Sequence, residues 1–180
     1  MPDSGDDDLA AVLDDLEAQA EANFAAERAA ELSDRSRSEY RTVTFAGRLA
    51  ASVGREVSLR LTGFGRLSGR LVASGADWCE IRYAGLRWVV HLAAIVEVAG
   101  CSGRSLPEQA WPVTAKVGFG GRLRGLVGDA ALGLQLSDGT RIESRVQRVG
   151  ADFVELGGGA LVPLRAVVAV SVPDQVASES

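Results

Sequence analysis

The sequence predicts a mainly β protein with some helix: two tandem small barrels of five short strands, each led by a short helix, preceded by a longer acidic helix. Three observations predict it. The string Gly75-Ala76-Asp77-Trp78-Cys79-Glu80-Ile81 returns as Gly150-Ala151-Asp152-Phe153-Val154-Glu155-Leu156, an offset of 75 residues. Within each copy, apolar residues alternate with polar ones at the period of a strand. Ahead of both copies, residues 1–34 hold 11 acidic side chains against the single base Arg28, with leucines at helical spacing.

The leading helix is expected from Asp6 to about Ser33, a stretch without Gly or Pro. Leu9, Leu13, Leu16, Ala20 and Phe24 fall on one stripe of such a helix. Asp6, Asp7 and Asp8 lie in its first turn, where the helix dipole favours negative charge. The stripe is narrow, which suits docking on another helix in coiled-coil fashion better than burial in a large core. Two readings follow: the helix packs on its own barrels, or Leu9, Leu13, Leu16 and Phe24 serve self-association or a protein partner. An acidic polar face argues against lying on a membrane. Asp34-Arg35-Ser36-Arg37-Ser38 reads as a polar joint, so residues 1–40 form the first unit.

The repeat is the strongest signal, and a repeat fixes the reading of everything around it. Residues 57–81 and 132–156 share 8 identities in 25 positions, among them Arg66 with Arg141 and Arg70 with Arg145. Beyond a three-residue deletion, Val90 to Val96 aligns with Val162 to Val168. Upstream, Phe45-Ala46-Gly47-Arg48-Leu49 aligns with Phe119-Gly120-Gly121-Arg122-Leu123. The copies are placed at 41–100 and 115–173, with a linker at 101–114 and a disordered tail at 174–180.

Each copy opens on a short helix, weaker in the second because of its glycines. Val57, Leu59 and Leu61 then point one way and Ser58 and Arg60 the other. A turn at Gly63-Phe64-Gly65, or Asp138-Gly139-Thr140, leads to a second strand with Leu67 and Leu71, or Ile142 and Val146. The Gly-Ala-Asp corner starts a third strand. A fourth, Trp88 to Val90 or Leu161-Val162, breaks at a tight turn before a fifth, Ile95 to Val98 or Val167 to Val170. Five short strands with tight turns suit a closed small barrel.

This order resembles the Sm-like barrel of the Sm and LSm proteins and the RNA chaperone Hfq, which is itself a form of SH3-like barrel. The resemblance rests on Val57-Ser58-Leu59-Arg60-Leu61, on Leu67-Ser68-Gly69-Arg70-Leu71, and on Trp88-Val89-Val90-His91-Leu92-Ala93-Ala94-Ile95. The chain as a whole is similar to tandem-barrel proteins of actinobacteria with an acidic leading helix, which implies no particular activity. Sm-like proteins that bind RNA place an Asp and an Asn on the loop between strands two and three. Counted from Gly69, those positions fall on Gly75 and Cys79 here, and on Gly150 and Val154 in the second copy. The resemblance therefore implies the fold while the base-reading amide is missing.

The remaining candidates for chemistry are few. His91 is the one histidine, and Pro163 stands in its place in the second copy, so neither a Ser-His-Asp set nor a metal site can be assembled. Cys79 and Cys101 form no Cys-x-x-Cys pair, which fits a cytoplasmic chain. No apolar run long enough for a transmembrane helix occurs, and the acidic start lacks the basic opening of a secretory signal. Gly157-Gly158-Gly159 lacks the lysine and following helix of a phosphate loop and reads as a hairpin turn. Asp77 and Asp152 read as turn-holding residues. Trp78 and Phe153 read as core, and Glu80 and Glu155 as solvated or paired with arginine.

The bases behind the acidic segment are almost all arginine. Arg48, Arg66, Arg70, Arg122, Arg141 and Arg145 are the candidates for an anion- or nucleic-acid-binding face. No enzyme activity, cofactor or small-molecule substrate is expected. Two functions remain open: an interaction scaffold for protein partners or self-association, and a nucleic-acid-binding regulator that uses these arginines.

Overall fold

The computed structural model describes residues 40–128 and 131–174, with positions 16, 19, 21, 23, 24, 27, 28, 30, 31 and 37 of the leading segment. The chain divides into two compact units, Met1–Val43 and Thr44–Ser180. In the first unit, the described residues from Leu16 to Arg37, and Tyr40, are helical. Leu16 and Phe24 are exposed, whereas Leu9, Leu13 and Ala20 lie outside the described residues. The polar joint expected at 34–38 needs correction at Arg37, which is helical and accepts a hydrogen bond on its carbonyl from the Arg41 amide at 3.2 Å. Among the described residues no helix is long and apolar enough to cross a membrane.

The second unit is mainly β. Helix α1 (Phe45–Ala50) is followed by β1 (Glu56–Leu61), β2 (Gly65–Ser74), β3 (Trp78–Tyr83), β4 (Leu86–His91) and β5 (Ile95–Ala99). Helix α2 (Phe119–Arg124) leads β6 (Ala131–Leu136), β7 (Arg141–Val149), β8 (Phe153–Leu156), β9 (Leu161–Pro163) and β10 (Val167–Pro173). The ten strands form one antiparallel sheet in the order β5-β1-β2-β3-β4-β10-β6-β7-β8-β9, so β5 and β9 are its open ends.

Local chemistry explains the boundaries. Thr44 caps α1, its hydroxyl accepting from the Gly47 amide at 3.0 Å, a standard way to satisfy a first-turn donor. Strand β1 buries Val57, Leu59 and Leu61 and turns Arg60 outward. Gly63 and Gly65, with φ of 66° and 96°, make the turn into β2, a conformation open to glycine at little cost. Gly75 is needed for another reason. A Cβ there would strike the Trp78 indole, as one at Gly150 would strike the Phe153 ring. The glycine three residues before the aromatic lets the ring fold back over the backbone.

The pairings of β6–β10 follow those of β1–β5 position by position. Leu59 faces Leu67 as Leu134 faces Ile142, and Arg60 faces Arg66 as Gln135 faces Arg141. Both β2 and β7 bulge at corresponding points, between Leu71 and Ala73 and between Val146 and Arg148. The Gly75 amide donates to the Trp78 carbonyl, and the Gly150 amide to that of Phe153, each at 2.8 Å.

Two apolar cores result. The first gathers Leu49, Val57, Leu59, Leu61, Leu67, Leu71, Cys79, Ile81, Trp88 and Val90; the second gathers Trp78, Phe119, Leu123, Leu132, Leu134, Val146, Val154, Leu156 and Val162. They meet at the β4–β10 pair, where Val90 faces Ala169 and Val89 faces Val170. Val90, Val168 and Ala169 belong to the first core, Val89, Val167, Val170 and Val172 to the second. Strand β10 is buried on both faces from Val167 to Val172, so this seam joins the halves through hydrogen bonds and packing together.

The segment expected as a linker is partly packed. Trp111 is buried, and its indole N–H donates to the Leu106 carbonyl at 3.0 Å. Asp174, placed in the tail by sequence, is held by Arg82 at 2.6 Å, and its amide donates to the Gly85 carbonyl. Residues 175–180 lie outside the described residues.

Candidate functional site

A connected group of polar side chains lies along the seam. Strand β3 presents Trp78 and Glu80 on the face away from the first core, and α2 covers that face. Asp77 sits at the corner before β3, and its Oδ1 accepts from the Phe119 amide at 2.7 Å. The N-cap of α2 is Gly118, which has no side chain to offer. Asp77 therefore supplies from the first half the cap that Thr44 provides locally for α1. Sequence placed Asp77 as a turn-holding residue; the amide it holds is 42 residues away.

Trp78 donates its indole N–H to the Val117 carbonyl at 2.7 Å, and the Arg122 guanidinium lies 5.3 Å from its ring centroid. Arg122 also pairs with Glu80, and Arg87 reaches the same carboxylate at 3.5 Å. The Glu80 side chain is 5 % exposed, so of the two readings for Glu80 the solvated one is corrected. A carboxylate this deep requires cations beside it, and β4 and α2 each supply one.

His91 stacks on Phe119, with ring centroids 4.6 Å apart and planes 8° from parallel. Burial holds its pKa below the ordinary histidine value, against the opposing pull of Asp77. A lowered folded pKa means that the unfolded chain takes up the proton first as pH falls. Stability is therefore complete above the ordinary histidine range and declines as pH drops through it toward the folded value. The melting temperature should fall from about pH 7.5 to about pH 5.5, and His91→Gln should flatten that decline. An equal decline in the variant would assign it to other groups. A cleft of about 370 Å³ opens beside this stack, lined by Asp77, His91, Phe119, Arg124, Ala151 and Leu164.

The corresponding residues of the second half meet a different setting. Asp152 is exposed and Phe153 half-buried. Glu155 pairs at 2.8 Å with Arg148, itself 77 % exposed.

The six candidate arginines are dispersed over four elements. Arg122 is in the seam, and Arg48 is half-buried on α1. Arg66 and Arg70 project from the outer face of β2, where Arg66 donates to the Ser58 hydroxyl at 3.2 Å. Arg141 and Arg145 are exposed on β7, and Arg141 pairs with Glu143 at 3.0 Å. The structure adds arginines that the repeat did not single out. Arg70, Arg82 and Arg87 face one another across β2, β3 and β4, and Arg60 faces Arg66. Arg82 is held by Asp174, and Arg60 by Glu97 at 2.9 Å.

Cys79 is fully buried, and burial pushes its thiol pKa well up, which makes it a packing residue and not a nucleophile. Gly158 and Gly159, with φ of 127° and 82°, turn the chain from β8 into β9. A scan against protein-family models finds no match for this chain, and neither does a search of curated proteins.

Proposed function

We propose that the chain is a non-catalytic interaction scaffold built on a duplicated Sm-like barrel, with the leading helix for self-association or partner docking. The matching registers of β1–β5 and β6–β10 support duplication. Support for the barrels comes from the cores, since all five strands of each half contribute to one core. The observation that carries the functional reading is what the polar residues of the seam do. Asp77, Trp78, Glu80, His91 and Arg122 are engaged with one another or with α2. These polar side chains are spent on locking two modules into one sheet, the behaviour of a body that presents surfaces. Exposed Leu16 and Phe24 on the leading helix offer one such surface.

A second reading, nucleic-acid binding, draws on the cross-strand arginine rows. Like charges directly opposite one another are unfavourable, and a polyanion laid across β2–β4 would relieve that. The pairing of Arg60, Arg82 and Arg87 with acids favours the scaffold.

One preparation tests both. Deleting residues 1–43 should lower the mass measured by light scattering or abolish capture of protein partners; unchanged mass and partners would remove the helix from the proposal. The same protein should fail to retain single-stranded RNA or duplex DNA at low salt. Retention that weakens steeply with salt would favour the second reading.

A further inference from the structure

We infer that the first half holds a binding site for a small neutral aromatic molecule, a fused bicycle in size, that carries one hydrogen-bonding group. The site goes beyond the scaffold reading and involves neither the leading helix nor self-association.

The segment between the copies forms the roof of this site. Residues 106–115 are pinned at both ends: the Leu106 amide donates to the Gly47 carbonyl at 2.9 Å, and the Ala115 carbonyl accepts from the Ala76 amide at 3.1 Å. Between this strap and the body of the first half lies a cavity of about 280 Å³. Ala50 of α1, Ser74 of β2 and Trp78 of β3 line it from below, and Leu106, Trp111 and Ala115 from the strap. Val53, Pro112 and Thr114, all exposed, form its rim.

The second half shows the same place filled. Arg124 stands there at the position of Ala50, and it donates to the carbonyls of Val149 and Gly150 at 3.2 and 2.6 Å. Those two residues are the counterparts of Ser74 and Gly75. In the first half the arginine is an alanine, and Val72-Ala73-Ser74 stands for Gln147-Arg148-Val149. Small and apolar side chains thus surround in one half a space that a long side chain closes in the other.

The lining selects the ligand. Ser74 is 8 % exposed, and its hydroxyl oxygen is buried with no hydrogen-bond partner among the described residues. A buried hydroxyl left unpaired is costly, and a polar group on a ligand would satisfy it. Because a serine hydroxyl can donate or accept, a single hydroxyl, carbonyl or N–H on the ligand suffices. Both indole N–H groups are already engaged, that of Trp78 by the Val117 carbonyl and that of Trp111 by the Leu106 carbonyl. The rings are left as apolar walls suited to an aromatic guest. No charged side chain among the described residues lines the cavity, and burying an unpaired charge is strongly unfavourable. Phosphorylated and carboxylated ligands are thereby disfavoured. Size follows from volume: a dry cavity of about 150 Å³ takes benzene, so the larger space here suits two fused rings.

Three probes of one shape test this on the full-length protein: naphthol, naphthalene and naphthalenesulfonate. Isothermal titration calorimetry should show one-to-one binding of naphthol, weaker binding of naphthalene and none of naphthalenesulfonate. In NMR spectra, naphthol should shift the indole N–H resonances of Trp78 and Trp111 and leave that of Trp88, which belongs to the first core, in place. Ser74→Ala removes the unpaired hydroxyl, so the variant should melt no lower than the wild type. It should weaken naphthol binding about tenfold, the equivalent of one hydrogen bond, and leave naphthalene binding unchanged. Ala50→Met, with an unchanged circular dichroism spectrum, should abolish the binding of both. Absence of naphthol binding by the wild type, equal binding of naphthalenesulfonate, unmoved Trp78 and Trp111 resonances, or naphthol binding that survives either substitution intact would each overturn the inference.

Discussion

Replacing Arg122 with methionine is expected to cost about 3 kcal/mol of folding stability, measured from urea unfolding. The substitution leaves the Glu80 carboxylate 5 % exposed, with Arg87 at 3.5 Å as its remaining partner. It also removes the guanidinium from the Trp78 ring. The matched comparison is Arg148→Met, which unpairs Glu155. There the arginine is 77 % exposed and the expected cost is about 0.5 kcal/mol, as for surface ion pairs generally. Replacing Glu80 and Arg122 together with methionine should recover most of the loss, because an apolar pair of similar volume removes the buried carboxylate, and Arg87, 31 % exposed, still reaches solvent. If Arg122→Met and Arg148→Met cost the same, the Glu80 pair does not hold the seam.

Trp78→Ala should be more damaging, at about 4 kcal/mol, in the range for removing a large aromatic from a core. The indole fills space in the second core although it belongs to a strand of the first half, so its loss acts on the joint between the halves. Trp78→Phe keeps the ring and loses the N–H to the Val117 carbonyl, for about 1 kcal/mol. Phe153→Ala, at the corresponding half-buried position, should cost clearly less than Trp78→Ala. Equal costs would show that Trp78 does no more than fill its own half. Thermal and urea unfolding of the four proteins decide this.

Several elements were legible in the sequence because they depend on local chemistry. The alternation of Val57, Leu59 and Leu61 with Ser58 and Arg60 places one face inward whatever surrounds the strand. The Gly-Ala-Asp-aromatic string marks a corner because only glycine clears the ring that folds back over it. The seam left a trace as well. Val167-Val168-Ala169-Val170-Ser171-Val172 is nearly uninterrupted in apolar residues, the composition of a strand covered on both faces, whereas Ile95-Val96-Glu97-Val98-Ala99 carries a charge at its centre. That contrast distinguishes a buried strand from an edge one.

The arginines show where sequence stops. Arg48 and Arg122 are equivalent by alignment, yet only Arg122 meets Glu80, because only α2 has a β3 strand of the other half beneath it. Asp77 and Asp152 are likewise the same residue at the same corner, yet the Asp77 carboxylate accepts from the first amide of α2 whereas Asp152 is exposed. Nothing within either copy separates the members of these pairs.

The sequence by itself determined the repeated corner, the strand alternation and the acidic leading segment, since these follow from side-chain size, period and charge along the chain. Tertiary structure decided which copy of each repeated residue is buried and which is left at an open end. The reason is physical: joining two equivalent units side by side covers one edge of each, and exposes the other.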